Sequence, residues 1–396
     1  MNLFFGNFDF EHHLDSKGPR ALSAQIRRLN DEMAFCLVPL AKTSDCIWTP
    51  EQPEPGFAQH LEEIGLPLVR FVSRDRDIPA GATLIPWGWC PSVQTWAAKR
   101  NCASVSPDLV AVARANSREF SSALEMEWTV GLVGARTIRT LHELDQVLSE
   151  ATKLPGGWVI KANFGMSARE RILARRSTPR AQDVEWARRR LDLGAPIFFE
   201  PWVESVAEFG CQFSIPTSGK PTLAGITGLL TDQQGTYRGS RLAEDCGTGP
   251  SHLIEPSVFE VVERAAQRVQ RLGYFGPLGI DVMRYRTADG ETEWRPLQDI
   301  NARLTMGRVA LGWRRLLAAG EQADWLHFRS PGNSAQAGLR SPEAFDALPA
   351  GVRMVRTSPL EAGGRAVSHT TALLIAQSTQ VLETSARRYR LVPRAE

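Results

Sequence analysis

No stretch of this 396-residue chain stays apolar long enough to span a bilayer, and no C-x-x-C pair occurs in it. The first absence argues against a membrane protein, because a transmembrane helix needs about 20 consecutive apolar residues. The second sets aside a zinc ribbon or a thioredoxin-type redox centre. Cys36, Cys46, Cys90, Cys102, Cys211 and Cys246 are widely scattered, a spacing that favours reduced thiols in a cytoplasmic protein over a disulfide framework. A charge excess is missing too: 46 Lys and Arg stand against 44 Asp and Glu, a net charge of +2. Nothing in that balance draws the chain to nucleic acid or a lipid surface, so any basic site must be local. The opening residues, MNLFFGNFDFEHHLD, meet acids early and lack the basic segment of a secretory signal. Internal repeats, a Walker A loop and a Ser/His/Asp or Cys/His nucleophile arrangement are absent as well.

With 43% hydrophobic and 23% charged residues the composition is that of an ordinary globular protein. Its length suits two or three domains. The chemistry is densest at residues 279–303, GIDVMRYRTADGETEWRPLQDINAR. Apolar and β-branched residues recur on either side of Asp289-Gly290, a turn pair, so the stretch reads as an antiparallel hairpin. Residues two apart on a strand share a face, which aligns Asp299 with Asn301. Bringing Asp281 opposite Asp299 requires an odd loop, most simply three residues centred on Gly290, or a wider turn with a bulge. Asp281, Asp299 and Asn301 then form a hard-oxygen set suited to Mg²⁺. A solvent-facing hairpin with ordinary turn acids is the alternative.

Residues 1–106 read as a small α/β unit, with strands expected at 2–10, 34–40 and 67–72 and a helix at 21–30. The adjacent His12 and His13 diverge in regular structure and suit a surface or interdomain role. Pro86-Trp87-Gly88-Trp89 is an aromatic turn that either lines a cleft or packs a domain contact. A second unit opens near Pro107. Phe120, Leu124 and Trp128 fall at helical spacing, and Thr140-Leu141-His142-Glu143 has the form of a capping box starting a helix to about 151.

At 156–169 an apolar strand delivers Lys161 and then enters a turn of small residues ending at Arg169. Such a turn can aim backbone N–H groups at a phosphate beside the lysine. The Arg188-Arg189-Arg190 run reads as a solvated helix face. Residues 196–204 form an apolar strand ending in a connector of Glu200, Pro201, Trp202 and Val203, followed by Glu208 and a strand at 211–215. Arg238 and Arg241, in a Gly-containing segment at 231–241, suit either a substrate carboxylate or a plain surface loop. A helix is expected at 259–272, a connector at 330–350, and short strands at 352–357, 372–376 and 379–382.

A strand-borne lysine with a small-residue loop, an apolar strand ending in a Glu-rich connector, an acid, and an acid-x-Asn follow one another in order. This series resembles the ATP-grasp superfamily, and Asp299-Ile300-Asn301-Ala302-Arg303 is similar to its E-x-N-x-R signature with Asp for Glu. The resemblance covers roughly residues 107–313. It implies an α/β (α+β) ATP-grasp fold: a pre-ATP-grasp α/β domain at 1–106, cleft-forming subdomains at 107–195 and 196–325, and a small C-terminal subdomain at 326–396.

Carried over residue by residue, Arg118, Lys161, Ser167 and Arg169 would meet the phosphates of ATP. Glu200, Trp202 and Val203 would hold adenine, and Glu208, with Glu204 as the alternative, the ribose. Asp281, Asp299 and Asn301 would bind Mg²⁺, with Mn²⁺ as a substitute, and Arg303 together with Lys161 would serve catalysis. Residues 164–169 would form the lid. The resemblance implies a ligase that activates a small-molecule carboxylate as an acylphosphate and joins it to an amine, and it leaves a homodimer open. A small-molecule kinase and a non-catalytic nucleotide-binding regulator are the alternatives. Ala168 where glycine is common, the shorter Asp299, and Pro201 without an N–H depart from the family pattern.

Overall fold

The computed structural model describes residues 1–14, 23–151, 154, 156–165, 170–174, 179–243, 253–329 and 348–388. The first unit is a parallel sheet in the order β3-β2-β1-β4, made from β1 (Asn2–Phe5), β2 (Cys46–Trp48), β3 (Arg70–Val72) and β4 (Thr83–Pro86). Around it lie α1 (Ala24–Met33), α2 (Gly56–Glu63) and α3 (Pro91–Lys99). Ser23 starts α1 by accepting from the Ile26 N–H at 3.2 Å, which satisfies one of the free donors at a helix N-terminus. The strand expected at 34–40 is instead a 3₁₀ segment, Ala34–Leu40. Pro39 withholds a ladder donor, and six of the seven residues are buried, so packing decided against the β-branched pattern. That segment lies against α9 (Met306–Gly312), where a Cβ on Gly312 would fall 2.7 Å from the Pro39 carbonyl. Only glycine allows this approach.

Next come α4 (Leu109–Ala115) and α5 (Arg118–Trp128), then an antiparallel sheet in the order β5-β8-β6-β7. Its strands are β5 (Arg136–Ile138), β6 (Trp158–Ala162), β7 (Arg171–Ala174) and β8 (Ile197–Pro201). The capping box forms as expected: Thr140 Oγ1 accepts from the Glu143 N–H, and Glu143 accepts from the Thr140 N–H at 2.9 Å. It opens α6 (Leu141–Ala151), which packs with α7 (Ala181–Asp192) on that sheet through Leu144, Val147, Ala187 and Leu191. Because β8 pairs with β6, the boundary expected at 195 falls one strand too early.

The larger sheet runs β13-β12-β9-β10-β11-β14-β18-β15 among the described residues. It comprises β9 (Glu204–Ile215), β10 (Thr222–Thr231), β11 (Tyr237–Leu242), β12 (Gly276–Arg286), β13 (Thr292–Asn301), β14 (Gln322–Arg329), β15 (Arg353–Arg356) and β18 (His369–Ala376). The small ladder of β16 (Glu361–Ala362) and β17 (Arg365–Ala366) stands apart from it. The boundary expected at 326 therefore falls inside β14, and the C-terminal strands extend the central sheet. Val258, Phe259, Val262, Ala265, Ala266 and Val269 give α8 (Pro256–Arg271) a buried apolar stripe. Residues 379–382, expected as a strand, begin α10 (Thr379–Arg388), and Leu382 is buried in the cluster with Leu326 and Leu374. No helix among the described residues is long and apolar enough to cross a membrane.

Candidate active site

The β12–β13 hairpin closes with Thr287 and Glu291 hydrogen-bonded at 2.9 Å around three residues, an odd loop centred on Asp289. Gly290 takes the left-handed position at φ +89°, which any side chain would strain. Near the other end the register shifts by two: Met283 faces Arg295, whereas Asp281 faces Asp299. Pro296, which cannot donate, lies on the longer side of this bulge and on the edge strand, where such a residue is tolerated. Odd loop and bulge together leave Asp281 opposite Asp299 and Gly279 opposite Asn301. The Asn301 Nδ2 donates to Asp281 at 3.1 Å.

These acids form one wall of a cavity of about 260 Å³, and Glu208, Gln212 and Gln298 extend it. Arg118 and Lys161 line the same cavity. Arg118 is the first residue of α5, held there by the Ser117 cap and by Asn163, whose carbonyl accepts from the Arg118 N–H at 3.0 Å. Its Nη1 donates to Asp299 at 3.3 Å, and its buried Nε has no partner. Lys161 extends from β6 to Glu200 on β8 at 2.6 Å. Burial lowers the lysine pKa despite that carboxylate. Burial by itself would raise Glu200, but Arg295 and then Lys161 hold it well below the usual carboxylate range.

The acidic wall is short of positive charge. Burial first, and the neighbouring Asp299 second, push the Asp281 carboxyl up to about 8. Burial also raises Glu208. Among the described residues no three His, Cys, Asp or Glu side chains converge on a metal position. A hard divalent ion would therefore be held by the two aspartates and the Asn301 amide oxygen, with the remaining positions left to phosphate and water, an arrangement that suits Mg²⁺. The partnerless Arg118 Nε and Gln298 Oε1 fit a polar ligand beside it.

The structure thus gathers Arg118, Lys161, Glu208, Asp281, Asp299, Asn301 and Arg303 around one cavity. Ser167 and Arg169, with most of the expected lid, lie outside the described residues. Glu200 lines no part of this cavity: its carboxylate is turned inward, onto Lys161 and Arg295. Trp202 gives its N–H to the Gly157 carbonyl at 2.9 Å, and the Arg171 guanidinium lies 5.8 Å from its ring centroid. Val203 packs on the small cluster of Leu132, Met283 and Tyr285. The Arg303 guanidinium is held by Glu11 at 2.8 Å, by Asn301 Oδ1 at 2.8 Å and by the Leu304 carbonyl at 3.0 Å.

Arg238 and Arg241, read as either substrate contacts or surface-loop residues, are both paired within the chain. Arg238 pairs with Asp232 at 2.8 Å, and Arg241 forks onto Asp324 and reaches Glu383, so their own chain consumes the charge. Neither lines the cavity. Sequence reasoning missed Glu11, Glu125 and Arg295, whose ion pairs join distant segments, and the α1 face. Ile26, Leu29 and Met33 on that face recur at helical spacing, a pattern that was there to be read.

The chain has the ATP-grasp fold. The N5-carboxyaminoimidazole ribonucleotide synthetase of Thermus thermophilus superposes with a TM-score of 0.53 at 15% identity, over 100% of this chain and 99% of that one. The Staphylococcus aureus N5-carboxyaminoimidazole synthetase complexed with ADP gives 0.53 at 9% identity, over 91% and 93%. The biotin carboxylase domain of Hydrogenobacter thermophilus 2-oxoglutarate carboxylase, in complex with MgADP and bicarbonate, gives 0.50 at 11% identity, over 90% and 86%. At such identities the likeness is one of fold. No family model matches the chain, and no curated protein does.

Proposed function

We propose that the protein is an ATP-dependent ligase that activates a carboxylate as an acylphosphate and joins it to an amine, releasing ADP and phosphate. The observation that carries this reading is the gathering of Arg118 and Lys161 with Asp281, Asp299 and Asn301 around a single cavity. ADP and MgADP in the structures of like fold support nucleotide use. In this reading Lys161 and Arg118 take the phosphates, the 200–203 connector borders the base through Trp202 and Val203, and Glu208 meets the ribose. Glu200 acts by fixing Lys161 instead of touching the nucleotide. Ser167 and Arg169 keep their expected part in covering the phosphates. Mg²⁺, or Mn²⁺ in its place, supplies charge neutralisation between the phosphate oxygens when bound.

A substrate carboxylate oxygen attacks the γ-phosphorus, and ADP leaves. The amine nitrogen then attacks the acyl carbon, phosphate departs, and the nitrogen loses a proton. The chain's work is positioning and charge compensation: Lys161 and Arg118 meet the negative charge that moves toward ADP, while the cavity walls keep water from the acylphosphate. Five described cysteines, all free and buried, accord with a cytoplasmic setting. The partners are then small carboxylates and amines.

The test is turnover of Mg-ATP, with ADP and AMP assayed separately, in the presence of pooled carboxylates, amino acids and amines, followed by product mass. Substrate-dependent ADP with a product lighter by one water than its two parts is the expected result. Addition of a phosphate would instead select the kinase reading, and the occupied state of Arg303 is the feature that keeps it in view. Nucleotide binding without turnover on any member of the pool would select the non-catalytic one.

A further inference from the structure

The cavity continues past Asn301 and Thr305 into an apolar end where α1 comes down over the Trp87 turn. Ile26, Leu29 and Met33 fall on one face of that helix at spacings of three and four residues and are only half-buried, although they point at the cavity. A core stripe would be covered. Opposite them, Phe8 and Trp87 are buried and lie 4.5 Å apart between ring centroids, forming a rigid aromatic floor.

The charges around this end are spent. Of the described cations that line the cavity, Arg118 faces Asp299, Lys161 is held by Glu200, Arg303 by Glu11, and Arg171 reaches the Gln234 carbonyl. Arg303 also lies 5.5 Å from the Trp87 ring centroid, and the α1 face contributes Asn30 as its one polar lining residue, already bound to Asp9. A substrate phosphate at the α1 end would have to take Arg303 from Glu11 and Asn301.

We propose that the carboxylate substrate of this protein is an unphosphorylated acid with an aromatic or branched aliphatic body, its carboxylate toward Arg118, whose buried Nε has no partner, and its body between Leu29, Met33 and Trp87. The proposal rests on the ligase reading for which end of the molecule reacts. The binding pocket itself stands on the lining and the paired cations. Burying a phenyl-sized body strengthens binding by about thirtyfold, whereas a phosphate that must first take Arg303 from its partners adds nothing.

The experiment measures equilibrium binding of four carboxylates, acetate, hexanoate, 3-phenylpropanoate and 3-phosphoglycerate, to the full chain with and without Mg-ADP. Affinity is expected to rise from acetate to hexanoate to 3-phenylpropanoate, the last about thirtyfold above the first, with 3-phosphoglycerate no tighter than acetate. Leu29→Glu should cost 3-phenylpropanoate about tenfold or more, and Leu29→Met should restore it. Leu29 is half-exposed, so the glutamate variant is expected to fold. Equal affinities along the series, no binding of any member, or a preference for 3-phosphoglycerate overturns the proposal. Failure of Mg-ADP to bind while the apolar gradient persists overturns the nucleotide reading instead and leaves the pocket standing.

Discussion

Arg295 and Glu200 are joined by two hydrogen bonds, of 2.9 and 3.0 Å, across 95 residues of chain. The arginine sits on the hairpin that carries the paired aspartates, and the glutamate on the strand beside Lys161. Glu125 of α5 takes the remaining face of the same guanidinium at 2.6 and 3.0 Å. One buried cation thus ties together three elements that build the cavity. Arg295→Met leaves two buried carboxylates with less counter-charge, and a loss of about 3–5 kcal/mol in unfolding free energy is expected. Arg295→Lys should rescue little of it, since an ammonium cannot fork onto two carboxylates. Denaturant titration of both variants is the check, and a loss under about 1 kcal/mol for the methionine variant would contradict the assignment.

Lys161 is the strand-borne cation expected at the phosphates, and it lines the cavity. In the proposed reading Lys161→Ala removes a phosphate contact while Glu200 keeps Arg295 as partner, so the fold should tolerate it. Mg-ATP affinity is expected to fall about tenfold or more. Calorimetric titration reads this directly, and an unchanged affinity would move the phosphates elsewhere.

The Glu11–Arg303 pair latches the first unit to the end of β13. Its side chains are 10% and 13% exposed, which leaves little solvent to replace a lost partner. Glu11→Ala is expected to cost about 2–4 kcal/mol. Glu11→Gln, which keeps an acceptor for the guanidinium, should cost less. Equal stability of the alanine variant and the parent in thermal unfolding would show that the latch contributes nothing.

Asp31, on the far side of α1 from the cavity, offers a pH test outside the site. Burial first, then Glu51 and Glu32, push its carboxyl from 3.8 up to about 6. A carboxyl that holds its proton more tightly in the folded chain stabilises fully below its unfolded pKa and loses that contribution as pH rises through the folded one. The loss therefore falls between about pH 4 and pH 6. Asp31→Asn is expected to raise Tm at pH 7 and to bring progressively less benefit toward pH 4. A constant difference across that range would mean the carboxyl does not titrate there.

The hairpin was legible because alternation, a turn pair and parity are local rules, and together they required an odd loop or a bulge before Asp281 could meet Asp299. The capping box at Thr140 was legible for the same reason. What failed depended on tertiary partners. The apolar run at 34–40 has strand composition, but Pro39 and the close approach of Gly312 turn it into a 3₁₀ segment. Arg238 and Arg241 looked available until Asp232 and Asp324 were brought beside them. Glu200 fitted the connector by position, yet Arg295, invisible as a partner at 95 residues' separation, draws its carboxylate inward. The apolar face of α1 carried a readable helical period, but only the fold says that it borders a cavity instead of a core.

Magnesium-dependent ATP binding tests the central claim most directly: titrate ATP into the parent protein with and without Mg²⁺, then into Asp299→Asn. Tight binding that requires Mg²⁺ in the parent, with the Mg²⁺ enhancement reduced about tenfold or more in the variant, is the predicted result. ATP binding indifferent to both Mg²⁺ and Asp299, or no binding at all, would contradict the assignment of the paired aspartates and the cavity they line.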